Sequence, residues 1–198
     1  MSTLNTNTEE HIKTVARQLF FAEGRLNATT QEIADAAGVN RTLLNYYFRS
    51  RDALFDQVFD EAMQHLRHRV DSTISSTAPF REKMETLVDI LLDEISQYPY
   101  REIFIITQVN QKENKLKPPT DKNNWPSFLA EIKKEMEAGT IPTMEPIDYI
   151  LNIYSMCIFP ILMKPIYSHM LRITVDEYQE KLNDRKANIM TYVFPPKK

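Results

Sequence analysis

Apolar residues near the start of the chain fall on one helical stripe. Ile12, Val15, Ala16, Leu19 and Phe20 stand at i, i+3, i+4, i+7 and i+8, which predicts an amphipathic helix closing near Gly24. Thr29 and Glu32 then form the Thr-x-x-Glu pattern of a capping box. A short helix follows with Ile33, Ala34 and Ala37 facing inward, and it stops at Gly38. Asn40 suits the N-cap of a third helix reaching about Tyr47. Ser50 caps a fourth, whose face is Leu54, Val58 and Phe59 and which extends to about Ile74.

The stretch Ser75–Phe80 interrupts the pattern and marks a boundary between two units. Beyond it, Phe80, Met84, Leu87, Val88, Leu91, Leu92 and Ile95 keep helical spacing, and Pro99 marks the next break. The segment REIFIITQVN is apolar nearly all round and is read as a buried helix, since no strand partner stands elsewhere. Gln111–Asn124 is polar with two adjacent prolines and reads as an exposed loop. Trp125–Ala138 is a helix with Pro126 in its first turn, and Gly139 lies past its end. A long apolar helix covers roughly Pro146–Leu171, bent or broken by Pro160 and Pro165. After a second capping box at Thr174 and Glu177, a single last helix carries Tyr178, Leu182, Ile189 and Val193 at near-heptad spacing. The prediction is an all-α chain with a helix-turn-helix domain over residues 1–50, a connecting helix over 50–74, and a second helical domain over 75–198.

Composition narrows the picture further. An apolar share of 42% is enough for a real core, and only three glycines argue against a turn-rich β fold. The net charge of −3 restricts any nucleic-acid contact to a local patch. The lone cysteine, Cys157, sits in apolar surroundings and reads as a reduced, buried thiol in the cytoplasm. The polar, acidic N-terminus lacks the apolar segment of a signal peptide. Ile147–Met163 is short and interrupted for a bilayer span, so no membrane partner is expected.

The local patch lies between Thr29 and Phe55, where Arg41, Arg49 and Arg51 follow Gly38 with no acid between Gly38 and Asp52. Two short helices joined at a glycine have the layout of a helix-turn-helix. Ala34 must be small where the second helix crosses it, Gly38 supplies the positive φ of a tight turn, and Ile33, Val39 and Leu44 fix the angle. The exposed face of Asn40–Tyr46 is then free to enter a major groove.

The ordered elements VARQLFFAEG, TTQEIADAAGV and YYFRSRDALF, from about His11 to Phe59, resemble the DNA-binding domain of the TetR (tetracycline-repressor-like) family. The resemblance implies a dimeric regulator, usually a repressor, released from its operator when a small ligand binds the C-terminal domain. It places Asn40, Arg41, Thr42 and Leu43 at the start of the recognition helix, with Asn45 and Tyr46 on its exposed face. Tyr47 would contact the DNA backbone, and Thr29 and Thr30 would sit at a helix N-terminus facing phosphate. Arg51 takes the place where the family usually has lysine, and Arg49 joins it as a DNA contact. Two residues depart from the family pattern. Thr42 replaces a small residue and Asn45 replaces a tyrosine, and asparagine can read adenine with two hydrogen bonds, so the operator is expected to differ.

The C-terminal half offers Phe104, Trp125, Phe128, Tyr154, Met156, Phe159 and Met163 as lining for an apolar or aromatic effector, with Gln108, Asn152 and Tyr154 as polar anchors. Residues of these types also build ordinary cores. A helix-turn-helix has few base contacts, so two copies should read half-sites of a (pseudo)palindromic double-stranded operator roughly 34 Å or a multiple apart. Tyr178, Leu182, Ile189 and Val193 are the expected homodimer contacts. His65 and His68 have a spacing that can chelate a metal, but no further ligand stands near them and they are read as surface residues. No nucleophile–base pair, phosphate loop or metal set is recognised, so no enzyme activity, cofactor or metal is expected. The alternative is a DNA-binding protein whose C-terminal half binds another protein without a small-molecule effector.

Overall fold

The computed structural model describes residues 2–111 and 124–195, with side chains given for 7–107 and 124–195. Within these residues every regular element is helical, as the pattern predicts. The expected loop over Gln111–Asn124 falls on residues 112–123, outside the described ones. The chain divides into two compact units, Met1–Arg67 with Gln97–Lys115 and His68–Ser96 with Leu116–Lys198.

In the first unit, α1 (Ser2–Arg17) runs into a π-helical turn, Gln18–Ala22. The wider turn, seen in the 3.0 Å bond from the Glu23 amide to the Gln18 carbonyl, lets the consecutive residues Phe20 and Phe21 both be fully buried. Then follow α2 (Thr30–Ala36), α3 (Arg41–Phe48) and α4 (Arg51–Ile74), whose first part belongs here. Helix α6 (Pro99–Gln111) joins this unit by stacking Phe104 on Phe55 of α4, with ring centroids 4.5 Å apart. Phe55 in turn packs on Phe20 at 4.8 Å, so the π-helical turn, α4 and α6 share one aromatic core. Lys13 of α1, almost wholly buried, is held by Glu61 of α4 at 2.8 Å. The expectation of a buried α6 is met only in part. Its buried residues include the ion pair Arg101–Glu102, while Ile103 and Ile106 are exposed.

The second unit takes the end of α4 together with α5 (Phe80–Gln97), α7 (Trp125–Glu137), α8 (Pro146–Leu162), α9 (Lys164–Leu171), α10 (Val175–Asn183) and α11 (Arg185–Val193). Met84 and Val88 from α5, Ile132 from α7, Cys157 from α8 and Ile189 from α11 meet in one core. Full burial of such side chains contributes roughly 1.5–3 kcal/mol each. Burial also pushes the Cys157 thiol up to about 12, so it stays protonated. Lys83 of α5 bridges to Glu131 of α7 at 2.8 Å, and Lys186 of α11 to Asp89 of α5 at 2.6 Å.

The prolines act as the sequence suggests. Helix α8 contains Pro160, ends at Leu162, and α9 leaves it at 70°. Among the described residues no single helix is long and apolar enough to cross a membrane. The single last helix is a correction: it is two helices, α10 and α11, separated at Asp184, whose φ of −88° and ψ of 11° leave the helical region. Asn183 and Asp184 are poor interior helix formers, because their short polar side chains compete for the backbone.

Candidate nucleic-acid interface

Each end of α2 is fixed by short-range chemistry. Thr29 is extended, and its hydroxyl accepts from the Glu32 amide at 3.2 Å while a Glu32 carboxylate oxygen accepts from the Thr29 amide at 2.8 Å. The Thr29 backbone amide, its hydroxyl and the Arg25 guanidinium hold the exposed Glu32 carboxyl down at about 2. At the other end, Gly38 has φ of 65° and passes the chain to Asn40, with the Val39 amide bonded to the Ala34 carbonyl at 3.0 Å. The carbonyl of Ala37 lies 3.1 Å from Nε2 of His11 on α1, which donates to it when that nitrogen carries the proton. Nothing in the apolar periodicity marks His11 for this task.

Asn40 is the N-cap of α3, and its Oδ1 accepts from the Leu43 amide at 2.8 Å. Leu44 and Phe48 are buried on the inner face of α3, as are Ile33 and Ala34 of α2. The outer face carries Arg41 and Thr42, both exposed, then Tyr46, 71% exposed. Leu43, Asn45 and Tyr47 complete the helix, and the Tyr46 and Tyr47 rings meet edge to face at 5.3 Å. Leu43 and Asn45 are half-buried. Thr30 is half-buried at the start of α2. Arg49 ends α3 exposed, with φ of 57°, an uncommon conformation for a residue with a side chain.

Arg51 stands in a different setting from Arg41 and Arg49. Its guanidinium lies over the Phe20 and Phe55 rings at 5.3 and 5.1 Å, its Nε donates to the Ala28 carbonyl at 3.3 Å, and it pairs with Asp52 at 2.8 Å. A short inner helix, a glycine turn, and a second helix with one packed and one polar, basic face make up the described interface.

Residues 12–58, which hold α2, the Gly38 turn, α3 and the start of α4, match the model of bacterial regulatory proteins of the tetR family. This segment is thus a TetR-family DNA-binding domain. Among the relatives of the chain is the Bacillus subtilis (strain 168) protein named Probable HTH-type transcriptional regulator YttP, 23% identical over 176 residues, covering 85% of this chain and 84% of that one. A TetR-family transcriptional regulator from Haemophilus influenzae aligns with a TM-score of 0.57 at 15% identity, over 97% of this chain and 99% of its own. AibR, solved in complex with isovaleryl coenzyme A and operator DNA, aligns with a TM-score of 0.61 at 17% identity, over 96% and 100%. These likenesses show a common fold along nearly the full chain. The family match over residues 12–58 gives the chain a DNA-binding domain of the kind that TetR-family transcriptional regulators carry.

The effector residues expected from the sequence are scattered. Phe104 packs on Phe55 and Phe59 in the first unit, and the side chain of Gln108 lies outside the described residues. Phe128 is fully buried in the second core, with Trp125 at its edge 6.1 Å away. Met156 and Met163 are half-buried, whereas Asn152, Tyr154 and Phe159 are exposed. Asn152 is 3.6 Å from the Met144 sulfur. Of the residues expected at a dimer contact, Tyr178 is buried with its hydroxyl on the Pro160 carbonyl at 2.9 Å, and Leu182 is half-buried. Ile189 and Val193 lie inside the protomer's own core, so they have no free surface to offer a partner.

Proposed function

We propose that the chain is a dimeric, ligand-responsive repressor that reads a (pseudo)palindromic operator through the recognition helix Asn40–Tyr47. The observation that carries the reading is the polar, basic outer face of α3, with Arg41, Thr42 and Tyr46 exposed over a fully packed inner face. In this reading residues 1–50 form the reading head, the helix over 50–74 connects, and residues 75–198, apart from α6, which packs in the first unit, serve effector binding and dimerisation. Arg41 and Asn45 face base edges, Tyr46 and Tyr47 lie along the groove wall, and Arg49 meets phosphate.

A two-fold dimer is supported by α8. Ile147, Leu151 and Tyr154 stand at i, i+4 and i+7 and are 60%, 54% and 42% exposed. Because Ile189 and Val193 are already covered, this stripe replaces them as the proposed contact. An apolar effector is supported by the half-buried Trp125 and Met156, which pack against the second core, and by the acyl thioester named with AibR. A second reading, binding of another protein instead of an effector, draws on the exposed Ile166, Met170 and Leu171 of α9.

The test is to select bound fragments from the source genome and titrate binding against salt for wild type and Arg41→Ala. Sequence-specific binding with a steep negative salt slope is expected, with discrimination lost in the variant by about 1–3 kcal/mol at the contacted base. Equal, weak binding to all DNA by the wild type would remove the reading. Release of the selected complex by short acyl thioesters or aromatic acids would separate the effector reading from the protein-partner one.

A further inference from the structure

Arg51 sits where the family pattern places a basic residue for DNA, yet its side chain is committed to the protein. Its guanidinium covers Phe20 of the π-helical turn and Phe55 of α4, at 5.3 and 5.1 Å. Its Nε donates to the carbonyl of Ala28, and another guanidinium nitrogen pairs with the carboxylate of Asp52. Ala28 is itself buried and immediately precedes Thr29, the residue that caps α2. One side chain therefore joins the π-helical turn after α1, the entry to α2 and the start of α4. The far end of α2 is tied in a similar way, by His11 at the Ala37 carbonyl. Helix α2 has only seven residues, too few to hold its place by its own hydrogen bonds, so its seat is set by these side chains and by Ile33 and Ala34. The recognition helix follows α2 through one tight turn and inherits that seat.

We propose that Arg51 is a positioning residue for operator recognition: it fixes the entry to α2, and through it the angle of α3, instead of binding phosphate itself. This rests on the proposed DNA-reading function, but the chemistry assigned to Arg51 differs from that of an exposed cation such as Arg49. A guanidinium can stack on two rings and donate in its own plane at once. A lysine ammonium carries the same charge but has no planar fork, so it cannot reproduce that arrangement. A phosphate contact would tolerate lysine, whereas a planar joint would not.

The experiment compares wild type, Arg51→Lys and Arg51→Met in the full chain, well below the melting temperature of each. Two readouts are taken: log Kobs against log salt on the selected operator, and amide exchange of Ala28, Glu32 and Ile33 without DNA. The expected result is roughly tenfold weaker operator binding in both variants, an unchanged salt slope in both, and faster exchange at the three amides. Circular dichroism confirms equal helix content. A salt slope shallower by about 0.9 in Arg51→Met, with Arg51→Lys binding like wild type, would overturn the proposal and make Arg51 a phosphate contact. Unchanged amide exchange would overturn it as well. If the wild type reads no operator, the DNA function fails, while the exchange data still decide whether Arg51 holds α2. Should Arg51→Met not fold, Arg51→Lys alone separates the two roles.

Discussion

Nε of Arg185 donates to the carbonyl oxygen of Met156 across 2.9 Å, and Met156 is the residue whose carbonyl loses its helical partner to Pro160. A proline at position i has no N–H for the carbonyl at i−4. The broken ladder of α8 is thus repaired from α11, and the Pro160 carbonyl is satisfied from α10 by the Tyr178 hydroxyl at 2.9 Å. Arg185→Ala should cost about 1–3 kcal/mol, because it leaves a part-buried carbonyl unpaired. In a Pro160→Ala background the backbone gains an amide that can donate to the same carbonyl, so Arg185→Ala should cost about 1 kcal/mol less. Urea unfolding of the four proteins measures this coupling; strictly additive losses would show that the bond does not compensate for the proline.

Gly38 and Gly24 both have positive φ, of 65° and 73°, but differ in their surroundings. A Cβ on Gly38 would meet nothing within 4 Å, whereas one on Gly24 would stand 2.6 Å from Cε1 of Tyr100. Gly38→Ala should therefore cost only the left-handed backbone term, about 1–2 kcal/mol. Gly24→Ala should cost more, and part of the excess should return in a Tyr100→Ala background, where the ring is gone. Thermal melts of the single and double variants check both halves. Equal losses at the two glycines would mean that the Tyr100 ring moves aside freely.

The Glu32 carboxyl is held at about 2, chiefly by the Thr29 amide and then by the Thr29 hydroxyl and Arg25. A depressed carboxyl stabilises the fold above its unfolded value of about 4.3, and that contribution is lost as pH falls towards the folded value. The acid limb of stability between these two values should be shallower in Glu32→Gln, which is already neutral. Stability measured by urea at stepwise lower pH reports the slope, and a carbon-detected titration of the Glu32 carboxyl reports the midpoint directly. A midpoint at about the unfolded value of 4.3 would mean that the capping box does not persist in solution.

Much of this fold was legible because its determinants are local. Thr29 with Glu32, Asn40, and Thr174 with Glu177 announce helix starts within three residues, and all three caps are present. Gly38 announces the turn for the same reason. Periodicity, however, groups residues on a face without saying what covers that face. Ile189 and Val193 keep the spacing of an interface helix, yet they are buried with residues of α5, α7 and α8 in the protomer core. Arg51 carries the charge of a DNA contact, but the rings beneath it are brought there by the π-helical turn and α4, which its neighbours in sequence do not reveal. The role of Arg185 depends likewise on a proline 25 positions earlier, counting from 185 to 160.

Helix α8 is apolar on two faces, and only one of them is covered. Tyr149, Ile153 and Cys157 point into the core with exposures of 3%, 3% and 0%, while Ile147, Leu151 and Tyr154 line the other side in solvent. An uncovered stripe on a helix that is apolar nearly all round calls for a partner surface. At a two-fold axis the stripe would meet its own copy, so one introduced charge enters the contact twice. Leu151→Glu should then halve the mass seen by light scattering while leaving the helix content of each protomer intact, because Leu151 is exposed within the protomer. Ile189→Glu should act differently: it puts an unpaired carboxylate into a fully buried site and should abolish cooperative unfolding before any change in association can be read. If Leu151→Glu keeps the wild-type mass, the α8 stripe is not the contact between copies, and the exposed Ile166, Met170 and Leu171 of α9 become the next face to charge.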